Sequence, residues 1–181
     1  MQTSPVAIES TPAFALLCFV LAAAAMDLRQ RRIPNRLTYS FALLGLVLNG
    51  FSGHWESGVM GLGFGLGSTW LLAMAVPGAL GMGDVKMMAA IGSLGGVGFA
   101  AHVLVVGAAF GGLLALVAMA WRKRLGELLR RTWALLEAVV VAARSGQRAI
   151  LPRAADGRTE MLPFGVALAL GTIWELWRGV A

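Results

Sequence analysis

The sequence predicts an all-α, polytopic membrane protein of about six transmembrane helices with an Arg-rich amphipathic insert on the cytoplasmic side. Three observations predict it. Of the 181 residues, 58% are hydrophobic and only 13% charged, with a mean hydropathy of +0.76, outside the range of soluble domains. The apolar segments are continuous runs without the two-residue alternation of barrel strands, which selects helices. The basic residues fall between those runs so that one topology puts nearly all of them on one side of a bilayer.

The apolar segments are 11–26, 37–51, 58–77, 87–99, 100–121 and 161–177. The first, TPAFALLCFVLAAAAM, resembles a secretory signal in composition but has its charges reversed. Glu9 precedes the apolar core, while Arg29, Arg31, Arg32 and Arg36 follow it. This predicts a retained first helix with its N-terminus outside. Ile33-Pro34-Asn35 then reads as a turn: Pro34 fixes its own φ and pushes Ile33 out of the helical region, and Asn35 is placed to N-cap the second helix. The third segment ends before GALGMGDVKMM, residues 78–88. Residues 87–121 contain no Asp, Glu, Lys or Arg and are too long for one ordinary span, so a break is expected within SLGGVG, residues 93–98.

Two spans in that stretch also satisfy the charge rule. With the N-terminus outside, segments 27–36, 78–86 and 122–160 are cytoplasmic and hold every Lys and Arg except Arg178. Within the insert, Trp121, Leu125, Leu128, Leu129, Thr132 and Leu136 share one helical face of 121–143, with most charges opposite. Such a helix lies in the interface and meets anionic lipid headgroups along 121–148. The formal net charge of +6 therefore records topology, and nucleic acid is not an expected partner. The whole of 1–181 reads as a single membrane-embedded domain.

The 24 glycines allow close helix approach, and Gly61/Gly65 and Gly107/Gly111 have the four-residue spacing of helix contacts. The lone Cys18 excludes an intrachain disulfide and a Cys-based zinc site, HExxH is absent, and no metal or cofactor is expected. Ser68 and His102 do not form a serine peptidase pair in this topology, since one lies mid-helix and the other near the outer side.

Asp27 and Asp84 are the acids left beside apolar spans, each at a cytoplasmic helix boundary. Burying an ionised carboxylate costs several kcal/mol unless it is paired or protonated. Two carboxylates at one poorly solvated site can share a proton, so that the ionised member activates water and the protonated member polarises a peptide carbonyl. The pair titrates as a unit, which assigns no separate acid and base. Gly81 and Gly83 would allow special backbone conformations and close approach of a substrate chain, and Lys86 could anchor this end at headgroups or bias the nearby charge. Residue types alone also allow a helix-end charge pair at Asp27, a turn at GxGD, and proton- or ion-coupled transport through the two acids.

Asp27 with R31-R32-I33-P34-N35, then G81-M82-G83-D84-V85-K86, then L162-P163-F164-G165 together resemble the type IV prepilin peptidases, the GxGD-type aspartic peptidases of membranes. The resemblance covers roughly 12–121 and 161–177. It implies that Asp27 and Asp84 are the catalytic pair, and that the substrate is the leader peptide of a pilin-like precursor cut on the cytoplasmic side of the inner membrane. By the same resemblance Pro34, Asn35, Gly81, Gly83, Lys86, Pro163 and Gly165 support the site, with Pro163 and Gly165 opening the last helix beside it. The paired cysteines of the larger bifunctional members are absent, so the chain looks like the short members that process Flp-type pilins or archaeal flagellin-like precursors. A non-catalytic pilus-assembly subunit is the third class to be tested.

Overall fold

The computed structural model describes residues 10–30, 33–75, 80–121 and 164–180. The predicted insert at 122–160, together with Arg31, Arg32, Leu162 and Pro163, lies outside the described residues. Among the described residues five helices follow in order: α1 (Ser10–Gln30), α2 (Asn35–Phe51), α3 (Trp55–Ala75), α4 (Met82–Trp121) and α5 (Phe164–Val180). No strand occurs among the described residues. Among the described residues three stretches are long and apolar enough to cross a membrane, Pro12–Gln30, Trp55–Ala75 and Met82–Ala118, while α2 and α5 have 17 residues each.

The helix starts differ from expectation in two places. Pro34, not Asn35, is the N-cap of α2. Its φ of −63° and ψ of 133° are extended, and its carbonyl accepts the backbone N–H of Leu37 and Thr38 at 3.1 and 3.3 Å. Proline suits this boundary because it has no N–H to leave unsatisfied. The second difference is at GxGD: α4 begins at Met82, ahead of the apolar segment expected from 87, so Asp84 lies in its first turn.

Gly96, with φ 77° and ψ 179°, breaks α4 inside the expected 93–98 segment. This region of backbone space is nearly closed to residues with a Cβ. The contacts on either side show a reversal of the chain. Before the break, Gly92 packs on Gly61 and Met88 on Gly65, so this part runs antiparallel to α3. After it, Gly107 packs on Gly171 and Gly111 on Phe164, so the chain runs antiparallel to α5 and returns toward its own start, since Gly165 beside Phe164 and Gly83 at the start of α4 both lie against Ile33. Both glycine pairs singled out by spacing, Gly61/Gly65 and Gly107/Gly111, thus lie in helix contacts: Gly61, Gly65 and Gly107 face backbone atoms of the neighbouring helix, and Gly111 the Phe164 ring.

The packing inverts the usual order of size. Backbone contacts between glycines fill the interior along α3, α4 and α5, with Leu16, Phe19, Met87, Met88, Ile91 and Leu168 completing the core. Large apolar side chains such as Phe14, Leu43, Phe51, Leu71 and Trp177 face outward. Close van der Waals packing, rather than burial from water, is what joins helices inside a bilayer. Polar links supplement it. Asn49 Nδ2 donates to the carbonyls of Gly45 and Ser93 at 3.0 and 2.9 Å, tying α2 to α4. Toward the C-terminal end of α5 the buried Glu175 Oε1 accepts from Arg178 at 2.6 Å and pairs with His102 Nδ1 at 3.0 Å, tying α5 to α4.

Candidate active site

Asp27 on the last part of α1 and Asp84 on the first turn of α4 are each only 8% exposed. Their positions follow from how the helices end and begin. Asp84 is the third residue of α4, and its Oδ2 accepts the backbone N–H of Gly81 at 3.0 Å. The Gly81 carbonyl in turn accepts the N–H groups of Asp84 and Val85 at 3.0 and 3.3 Å. This is the acidic half of a capping box, and the positive end of the helix dipole favours a carboxylate there. One oxygen of Asp84 is therefore fixed by the backbone of its own motif. Asp27 lies close enough to Asp84 for their charges to interact.

The last helix closes over Asp27. A Cβ built on Gly165 would lie 2.8 Å from Asp27 Oδ2 and 3.2 Å from its Cγ. Only a glycine lets the start of α5 come this near the carboxylate. Gly81 has a related role, since a Cβ there would stand 3.3 Å from Asp84 Oδ2. The expected special backbone conformation is not found at Gly81 or Gly83: among the described residues positive φ occurs only at Gly53 and Gly96. Space beside the carboxylate, not torsional freedom, explains Gly81. At Gly83 a Cβ would make ordinary contact with Ile33 at 3.5 Å.

Lys86 joins α4 to the start of α2. Its Nζ donates to Asn35 Oδ1 at 2.8 Å and lies 5.5 Å from the centre of the Tyr39 ring, within cation–π range. The Asn35 side chain, expected to cap α2, is thus turned toward α4. Pro34 is half-buried beside them at the N-cap. Asp27, Pro34, Asn35, Gly81, Gly83, Asp84, Lys86 and Gly165 are accordingly assembled from four helix ends, and Pro163 lies outside the described residues. Two residues at this assembly, Ile33 and Tyr39, were not among those expected at the site. For Ile33 a signal existed, because a residue before proline is forced out of the helix and its side chain is aimed independently.

Ser68 and His102 are not a nucleophile and its base. Ser68 Oγ donates to the Phe64 carbonyl at 2.7 Å within its own helix, while His102 faces Glu175. Among the described residues no group of three or more His, Cys, Asp or Glu is placed to hold a metal ion. Two neighbouring, buried carboxylates can divide one proton between them and so present a base and an acid to the same bound peptide.

Comparison with known proteins bears on this arrangement. The chain is similar to the prepilin leader peptidase/N-methyltransferase of Escherichia coli (strain K12), 33% identical over 109 residues, covering 48% of this chain and 48% of that protein. It is similar also to the protein of the same description from Pectobacterium carotovorum subsp. carotovorum, 36% identical over 118 residues, covering 61% of this chain and 41% of that protein. The matched stretches span less than half the length of these curated relatives. No solved structure matches the chain. A profile of the type IV leader peptidase family matches residues 14–116, more than half of the chain and including both Asp27 and Asp84. The chain belongs to the type IV leader peptidase family.

Proposed function

We propose that the protein is a membrane aspartic endopeptidase that removes the leader peptide of type IV prepilin or pilin-like precursors, of the Flp type, at the cytoplasmic face. The observation that carries this reading is the pair of buried carboxylates, Asp27 and Asp84, held within electrostatic reach of each other at converging helix ends, in a chain of the leader peptidase family. The ionised member takes a proton from water as its oxygen bonds to the scissile carbonyl carbon, and the protonated member gives its proton to the carbonyl oxygen. On collapse of the resulting diol one hydroxyl returns its proton to the pair, the C–N bond breaks, and the departing amine takes a proton from the pair. A carboxylic acid and an amine are released, and the pair returns to its starting proton count.

The topology belongs to the same proposal: six spans, N-terminus outside, both acids at the cytoplasmic boundary of the inner membrane, and the 122–160 insert on anionic headgroups. The distribution of Lys and Arg supports it. The reversal at Gly96 supports counting two spans between 82 and 121. The apolar helix of the precursor would pack against the Gly-rich helices, where small residues permit close approach.

The test is processing of a co-expressed Flp-type pilin precursor, followed by gel shift, with wild type, Asp27→Asn and Asp84→Asn at matched membrane levels. Loss of cleavage in both variants is expected. Cleavage by both variants would leave the acids structural, and a wild type that cuts none of several precursors would favour the transport or assembly readings.

A further inference from the structure

We propose that Ile33 is a positioning residue, an apolar wedge that sets the separation of Asp27 and Asp84 and keeps water from the space between the segments that carry them. This rests on the two-carboxylate reading above. Ile33 lies between the ends of α1 and α2, and Pro34 holds its backbone out of the helix that follows. It is 9% exposed and belongs to the buried core.

Its side chain touches both halves of the site. Measured to where a Cβ would stand on Gly83, next to Asp84, Ile33 Cβ, Cγ1 and Cδ1 lie at 3.5, 3.7 and 3.8 Å. Measured to the same position on Gly165, Ile33 Cδ1 lies at 3.3 Å, and Asp27 Oδ2 at 2.8 Å. The Cδ1 end of Ile33 is therefore separated from the Asp27 carboxylate by no more than the hollow that Gly165 leaves. One aliphatic side chain thus fills the space that two glycines leave open, one against the Asp27 carboxylate and one at the residue that precedes Asp84 in the chain. Coupling between two carboxylates weakens quickly when water enters and when they separate. Trimming Ile33 opens that space, and the acids lose both their fixed spacing and their dry side.

The test uses full-length protein in nanodiscs with Ile33→Val, which removes the terminal methyl, and Ile33→Ala, which empties the wedge. Steady-state cleavage of a pilin precursor should show kcat about 10- to 100-fold lower for Ile33→Ala with KM unchanged, the loss expected from misplacing a catalytic group by about 1 Å. Ile33→Val should lie within about threefold of wild type, because the β-branched body remains. An independent reading is modification of carboxyls by a water-soluble carbodiimide and a small amine, mapped by mass spectrometry. Asp27 and Asp84 should react faster in Ile33→Ala, while the exposed Glu56 reacts equally in both proteins. Unchanged kcat together with unchanged labelling overturns the proposal, as does a matched loss in KM with no labelling change. If wild type cuts no precursor, the peptidase reading fails and labelling alone decides the role of Ile33. If Ile33→Ala does not insert, Ile33→Val with the same two readings decides it through smaller changes of the same sign.

Discussion

Replacing Gly165 by alanine should separate stability from catalysis, because the two respond with opposite sign. Gly165 is the second residue of α5, a helical position where alanine is favoured over glycine by about 0.5–1 kcal/mol through lost backbone freedom. Against this, the new methyl would stand 2.8 Å from Asp27 Oδ2, 3.2 Å from Asp27 Cγ and 3.3 Å from Ile33 Cδ1. A carbon and an oxygen in ordinary contact stand about 3.5 Å apart or slightly less, so the carboxylate must retreat by roughly half an ångström or rotate. Asp27 ends a short side chain, whose tip can shift by rotation without moving the backbone of α1. Moving it costs the reaction much more, because the displaced atoms are those that handle the proton. Cleavage by Gly165→Ala should therefore fall by about tenfold or more, while its thermal midpoint in detergent stays at or above that of wild type. Precursor processing and a thermal unfolding curve on the same preparation measure both. Wild-type cleavage would refute the argument that α5 closes on a catalytic Asp27. Lost cleavage with a lowered midpoint would mean that the methyl disturbs packing rather than the carboxylate.

Other substitutions test the fold around the site. Gly96→Ala puts a Cβ at φ 77° and within 2.6 Å of Ser57 Oγ, so the protein should lose about 1–3 kcal/mol of stability, seen as a lower thermal midpoint or poor insertion; an unchanged midpoint would deny the reversal there. Gly61→Val drives a side chain into the Gly92 carbonyl, and because backbone meets backbone neither helix can yield locally; solubilised protein should unfold several degrees earlier, from overpacking of about 1–3 kcal/mol. Glu175→Gln weakens charge-assisted bonds to Arg178 and His102 and should lower stability by about 1–3 kcal/mol while cleavage persists, since this link lies about 15 Å along α5 from Gly165. A double-mutant cycle of Lys86→Met with Asn35→Ala should give a coupling of about 0.5–1.5 kcal/mol in unfolding, the scale of one side-chain hydrogen bond; zero coupling would mean that the two do not hold α2 to α4.

What the sequence by itself determined were features written in neighbouring residues or in composition. Continuous apolar runs give helices because a bilayer leaves backbone groups no other partners. SLGGVG, residues 93–98, stood out as a break because the stretch around it is too long for a single span. Tertiary structure alone decided how the helix ends meet. A straight helix would carry Gly111 about 40 Å from Asp84. Gly111 instead packs on Phe164, whose neighbour Gly165 abuts Asp27, and Asp27 lies within electrostatic reach of Asp84. The reasons for individual residues also changed on that account. Gly81 is glycine for room beside a carboxylate, Asn35 serves Lys86 rather than a helix cap, and Ile33 fills a gap between segments far apart in the chain. Local rules read torsions and caps, whereas contacts between segments dozens of residues apart depend on which surfaces fit, and one sequence carries no record of that fit until the chain has folded.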